Sequence, residues 1–189
     1  MSQIVSKKSI KTMIPSVVIA LVFALCFGFA ESAKASAITK QNLTYLVNQA
    51  RIENGLQPLK SDAHLTMAAT LKSKDMIQRD YFEHYAFGLT PWNFMNYSGY
   101  DYMYAGENLA INFDTAEGTV AAWLDSPSHR ANLLNEDYED IGISVEKGEF
   151  TNADGKTEET IVVTNMFGRK KPIIVEVFNN LLEAISRIF

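Results

Sequence analysis

Three short stretches hold the side chains whose types could do chemistry: His84 in YFEHYAFGLTP, Glu107 in YAGENLA and His129 in SPSHRANLLN. Two imidazoles and a carboxylate are residue types that a divalent ion such as Zn2+ takes as ligands, should the three segments meet. Around a metal-activated water the same set would support hydrolysis. His129 falls at about the third position of a short helix that Ser126 caps and Pro127 starts. Unpaired amides and the positive end of the helix dipole disfavour imidazolium there, which leaves a neutral ring able to ligate. On spacing alone a duller reading, two separate structural histidines, stands beside the shared site, because residue order does not show that three segments meet.

Residue types exclude other chemistry. No Gly-rich phosphate loop, HExxH, CxxC or GxSxG motif occurs, which removes the motif routes to nucleotide binding, zincin proteolysis and serine hydrolysis. Ser126 and Ser128 neighbour His129, but Ser126 is better explained as a cap, and adjacent helical positions rarely present an attacking geometry. Cys26 is the single cysteine and lies in the first segment, so thiolate catalysis is excluded from the domain that follows. His64 opens a predicted helix and is assigned no role. With 47% hydrophobic and 21% charged residues the chain fits one globular domain. Its formal charge of -5 argues against a nucleic-acid partner, which would need clustered Lys and Arg.

The elements that must position the three residues follow a leader. Lys7, Lys8 and Lys11 precede an uncharged apolar run from Met13 to Ala30 and small residues ending in Ala35-Ser36-Ala37, the order of a secretory signal with an A-x-A cleavage site. The mature chain is expected to begin at Ile38, and losing four lysines and one glutamate deepens its charge to -8. The alternative is an uncleaved anchor, since the run reaches the roughly 18 residues at which spanning becomes possible. Bulky Leu25 before Cys26 speaks against a lipid anchor.

Leu43, Leu46, Val47 and Ala50 recur at helical spacing until Gly55 and Pro58. Ser61 or Asp62 caps a second helix, with Leu65, Ala68, Ala69 and Met76 facing inward through about Asp80. The aromatic, Gly- and Asn-rich stretch from Tyr81 to Asn108 is expected to be an ordered, partly buried loop. Glu107, Leu109, Ile111 and Phe113 share one face of a strand, so a carboxylate opens an otherwise apolar face. Asp114 and Glu117 form a capping box for a third helix, with Ala116, Val120, Trp123 and Leu124 inward. DIGISV and ETIVVTNMFG flank the Asp154-Gly155 turn and read as a hairpin. Ile174, Phe178, Leu181, Leu182, Ile185 and Ile188 predict an amphipathic helix over 170–189. Its polar face lacks a basic excess, so it is expected to pack on the domain or on a second copy rather than on lipid. Helices first, strands late and an antiparallel pair make an α+β domain.

FEHYAFGLTPW, GYDYMYAGENLA, AAWLDSPSHRANLLNEDYEDIGISV and TIVVTNMFG, in that order, resemble the blocks of the CAP superfamily (cysteine-rich secretory protein, antigen five, pathogenesis-related one), whose domain is also called SCP. The resemblance runs from about Leu43 to Gly168. It implies a three-layer α-β-α sandwich with a mainly antiparallel sheet and a central cleft, whose two histidines and glutamate fall on His84, His129 and Glu107. The larger eukaryotic pattern has a second glutamate three residues after the helix tryptophan, where Ser126 follows Trp123 here, and it carries disulfides. This chain resembles the compact bacterial members instead. With one carboxylate, a divalent ion would rest on His84 and His129, with Glu107 as ligand, outer acceptor or water-orienting base. The expected organisation is a signal peptide over 1–37, the CAP domain over 38–169 and the amphipathic helix over 170–189. The expected function is a secreted binding module whose cleft, lined by His84, Glu107, His129 and Ser126, takes a peptide, glycan or lipid. The alternative is a metal-dependent, peptidase-like hydrolase using Glu107.

Overall fold

The computed structural model describes residues 35–151, 154–172, 174 and 185–187. The expected leader run, and all but a few residues of the amphipathic helix, lie outside the described residues. Among the described residues no helix is long and apolar enough to cross a membrane.

Helix α1 (Lys40–Glu53) begins where the Thr39 hydroxyl accepts from the Asn42 amide, and it buries Leu43, Val47 and Ala50. After the two-residue strand β1 (Lys60–Ser61) comes α2 (Ala63–Arg79), capped by the Asp62 carboxylate, which accepts from the amides of His64 and Leu65. The stretch expected as a loop instead contains α3 (Pro91–Ser98) and the first half of β2 (Tyr102–Ile111). Thr90 before Pro91 starts α3, and Gly99, at a φ of 82°, ends it. These boundary signals stand in the sequence, hidden by the density of aromatics between them. In α4 (Ala116–Asp125) the cap is Thr115 rather than Asp114, accepting from the Gly118 amide. Glu117 turns away from any capping box and accepts from the amide and hydroxyl of Ser36. Helix α5 (Pro127–Leu133) follows, then the expected hairpin of β3 (Asp140–Thr151) and β4 (Thr157–Lys170).

The strand order is β1-β3-β4-β2, antiparallel except where the short β1 runs parallel to β3, so the sheet is mixed. Alternation along β4 divides the core. Val163 and Phe167 face α1, α4 and α5, in a cluster with Leu43, Val47, Val120, Trp123 and Leu133. Val162 and Met166 face α2 and α3, with Leu65, Ala68, Met76 and Met95. The result is the α-β-α sandwich. Two glycines permit its closest contacts: a side chain at Gly142 would overlap the backbone of α2 at Leu65 and Thr66, and one at Gly106 would overlap the Tyr138 ring. Arg51, 1% exposed, donates to the carbonyls of Gln57, Leu133 and Asn135. It thereby satisfies the C-terminal end of α5 with a cation, as the helix dipole favours.

Because helix backbone cannot yield as a flexible side chain does, Gly142→Ala is expected to destabilise the domain by about 1–3 kcal/mol. A lower urea midpoint at an unchanged slope would register this; an unchanged midpoint would mean that α2 does not lie on β3 as described.

Candidate functional site

Glu107 sits on β2 facing α2, in line with Leu109 and Ile111, which join the small cluster around Met76 and Val162. Its side chain is only 2% exposed. The Oε1 atom accepts from His84 Nδ1 at 2.6 Å, and Oε2 is buried without a hydrogen-bond partner. A carboxylate on Nδ1 fixes the proton there and leaves the Nε2 lone pair of His84 free, and that side chain is 42% exposed. Burial pushes the Glu107 carboxyl above its usual range, opposed by the His84 hydrogen bond and by the charge of Lys72.

His129 reaches the same place from α5. Its ring centroid lies 6.5 Å from that of His84, with the planes inclined by 46°. Burial, and secondarily the nearness of His84, hold its pKa below the ordinary histidine value, the direction its helical position suggests. The backbone of His129 is held by β2: Asn108, fully buried, donates to the His129 carbonyl at 3.0 Å. Asn132, one turn on, donates to Asn108 Oδ1 at 2.8 Å and to the Glu107 carbonyl at 3.0 Å.

That last bond belongs to a series. Strand β2 lies at one edge of the sheet, and an antiparallel ladder directs alternate carbonyls the same way. The carbonyls of Ala105, Glu107 and Leu109 accept from Tyr138 Oη at 3.0 Å, Asn132 Nδ2 at 3.0 Å and Trp123 Nε1 at 2.9 Å. Three side chains thus occupy the edge groups that would otherwise recruit a further strand. Trp123 is structural, as expected, and Asn132 ties α5 to the strand that carries Glu107.

The structure therefore brings His84, Glu107 and His129 together: His84 and Glu107 line a cleft of about 290 Å³ with Tyr85, Trp92 and Asn132, and the His129 ring stands beside that of His84. Ser126 stands at the start of α5, but its hydroxyl caps no amide; it lies 3.3 Å from Ser128 Oγ and engages none of the three. His64, assigned no role, bonds the Ser98 carbonyl at 2.6 Å. Sequence reasoning missed Asn108, Asn132 and Lys72. Lys72 had a signal: it lies four residues after Ala68 and four before Met76, on the apolar stripe of α2.

Residues 44–166 match the model of the CAP family, the cysteine-rich secretory protein family. The chain belongs to the CAP family. This CAP domain is 38% identical over 112 residues, 58% of the chain and 43% of the relative, to the uncharacterised protein YkwD of Bacillus subtilis. Its fold is similar to the crystal structure of an extracellular protein containing an SCP domain from Bacillus anthracis, with a TM-score of 0.60 and 29% identity, covering 69% of this chain and 40% of that one. An outer surface protein of Borrelia burgdorferi, at 24% identity and a TM-score of 0.58, shares the fold over 73% of this chain and all of its own. The chain thus spans less than half the length of the first two proteins it resembles.

The pKa of His129 sets a direction for stability. The unfolded residue takes up a proton near its ordinary pKa of about 6.5 and the folded ring only at lower pH. Its contribution to stability is therefore complete above the unfolded value and lost as pH falls through the folded one. In the metal-free protein, His129 ring resonances are expected to titrate below the ordinary midpoint, and His84→Ala to recover part of that shift. A midpoint at the ordinary value in both proteins would place His129 in solvent.

Proposed function

We propose that this CAP domain is an extracellular binding module whose cleft recognises a peptide, glycan or lipid and whose His84–His129 pair holds a divalent metal. The observation that carries the metal reading is the buried Glu107–His84 hydrogen bond. It turns His84 Nε2 toward a free donor role beside a second imidazole, the arrangement in which an outer carboxylate orients a ligating histidine. His129 stays neutral, the form a metal needs. Among the described residues no group of three or more His, Cys, Asp or Glu side chains stands ready to hold a metal. The donor set therefore fits an open ion completed by solvent or ligand rather than a closed structural centre. When bound, such an ion would supply a Lewis acid with free positions.

Binding is favoured over hydrolysis by the position of Glu107. One oxygen is committed to His84 and the other is buried, an arrangement that suits a carboxylate orienting an imidazole. The extracellular reading draws support from the signal-like order of the first 37 residues and from the Bacillus anthracis relative, itself described as extracellular.

Isothermal titration of the wild type with zinc is expected to show one site. His84→Ala combined with His129→Ala should remove it, and Glu107→Gln should weaken it about 10–100-fold with the fold intact. Equal zinc uptake by wild type and double variant would take both histidines out of any metal role. Hydrolysis of a peptide or cell-wall substrate that Glu107→Gln abolishes would favour the enzyme.

A further inference from the structure

We propose that Lys72 is a positioning residue for the cleft: its buried ammonium clamps the backbone of Glu83 and His84 and thereby sets the His84 ring against Glu107. Lys72 is 0% exposed, on the face of α2 that carries Leu65, Ala68, Ala69 and Met76. An ammonium in such surroundings needs a partner for every proton. Lys72 Nζ donates to the Glu83 carbonyl at 2.7 Å, the His84 carbonyl at 3.2 Å and Tyr81 Oη at 3.2 Å, which uses all three. The rings of Tyr81 and Phe94 flank it, with centroids at 4.8 and 5.6 Å. Tyr81 is itself fixed, donating to Asp75 Oδ2 at 2.6 Å, and Asp75 pairs with Arg79 at 3.0 Å.

Residues Tyr81 to His84 form neither helix nor strand, so no backbone ladder fixes His84. Two anchors replace one: Lys72 takes its main-chain carbonyl and Glu107 takes its ring. An apolar residue at position 72 would continue the stripe of α2 and pack, but would leave both carbonyls without this donor, with Tyr81 anchored at the start of the segment and His84 tied by its ring to Glu107. A lysine interrupting an otherwise apolar stripe is accounted for by the two carbonyls it reaches.

The zinc arm of the test rests on the proposed metal reading; the other arm does not. In the full metal-free chain, nuclear magnetic resonance is expected to show a downfield, slowly exchanging His84 Nδ1 proton. Lys72→Met, which keeps the volume and removes the donors, should lose that proton and bind zinc about 10–100-fold more weakly, while melting and tryptophan fluorescence report a folded core. Lys72→Arg, which keeps charge and donors, should retain more of both. A folded Lys72→Met protein with the wild-type proton and zinc affinity would overturn the proposal. If the wild type takes up no zinc, the metal reading fails, and loss of the proton in Lys72→Met still supports the clamp. Should Lys72→Met not fold, the wild type decides: a Lys72 ammonium exchanging with water as fast as surface lysines would overturn it.

Discussion

The carboxylate of Glu107 lies in a row with Leu109 and Ile111 under α2, and a charge so far removed from water persists only when it is paired and hydrogen-bonded. His84 supplies the hydrogen bond and Lys72 the nearby positive charge. Both come from chain that precedes β2, one from a segment without regular structure and one from a helix. The demand of a single buried oxygen therefore organises the loop between α2 and α3 and fixes which nitrogen of His84 faces the cleft.

The opposite side of the same strand organises the second imidazole. Its outward carbonyls at Ala105, Glu107 and Leu109 are met by Tyr138, Asn132 and Trp123, so closing the sheet edge and seating α4 and α5 are one event. Asn108 then holds the His129 backbone, and Arg51 closes the far end of α5. Residues that stabilise the fold are here the residues that aim the cleft, which gives a physical reason for polar side chains as buried as Asn108, Lys72 and Arg51.

Local signals made much of this legible. Helical spacing marked α1, α2 and α4, the Ser126-Pro127 start marked α5, and β-branched runs around Asp154-Gly155 marked the hairpin. Strand alternation places Glu107 on the apolar face, in line with Leu109 and Ile111. Helix α3 departs from the expected loop although Thr90, Pro91 and Gly99 bound it, because eight residues rich in aromatics show little amphipathic contrast. Thr115 displaced Asp114 as cap by a single residue, a difference that only backbone geometry resolves. The meeting of His84, Glu107 and His129 was not available from spacing and came instead from the family resemblance. Asn108 and Asn132 act through carbonyls distant in sequence, which no pattern along the chain reports.

The proposed metal site has Glu107 holding the Nδ1 proton of His84 while Nε2 and the His129 ring would share one ion. Nitrogen-15 spectra of the two rings during a zinc titration test it most directly. His84 Nε2 and one His129 nitrogen are expected to shift together to metal-bound values at one equivalent while the His84 Nδ1 proton persists. Loss of that proton on zinc addition, or a His129 ring that does not move, would contradict it.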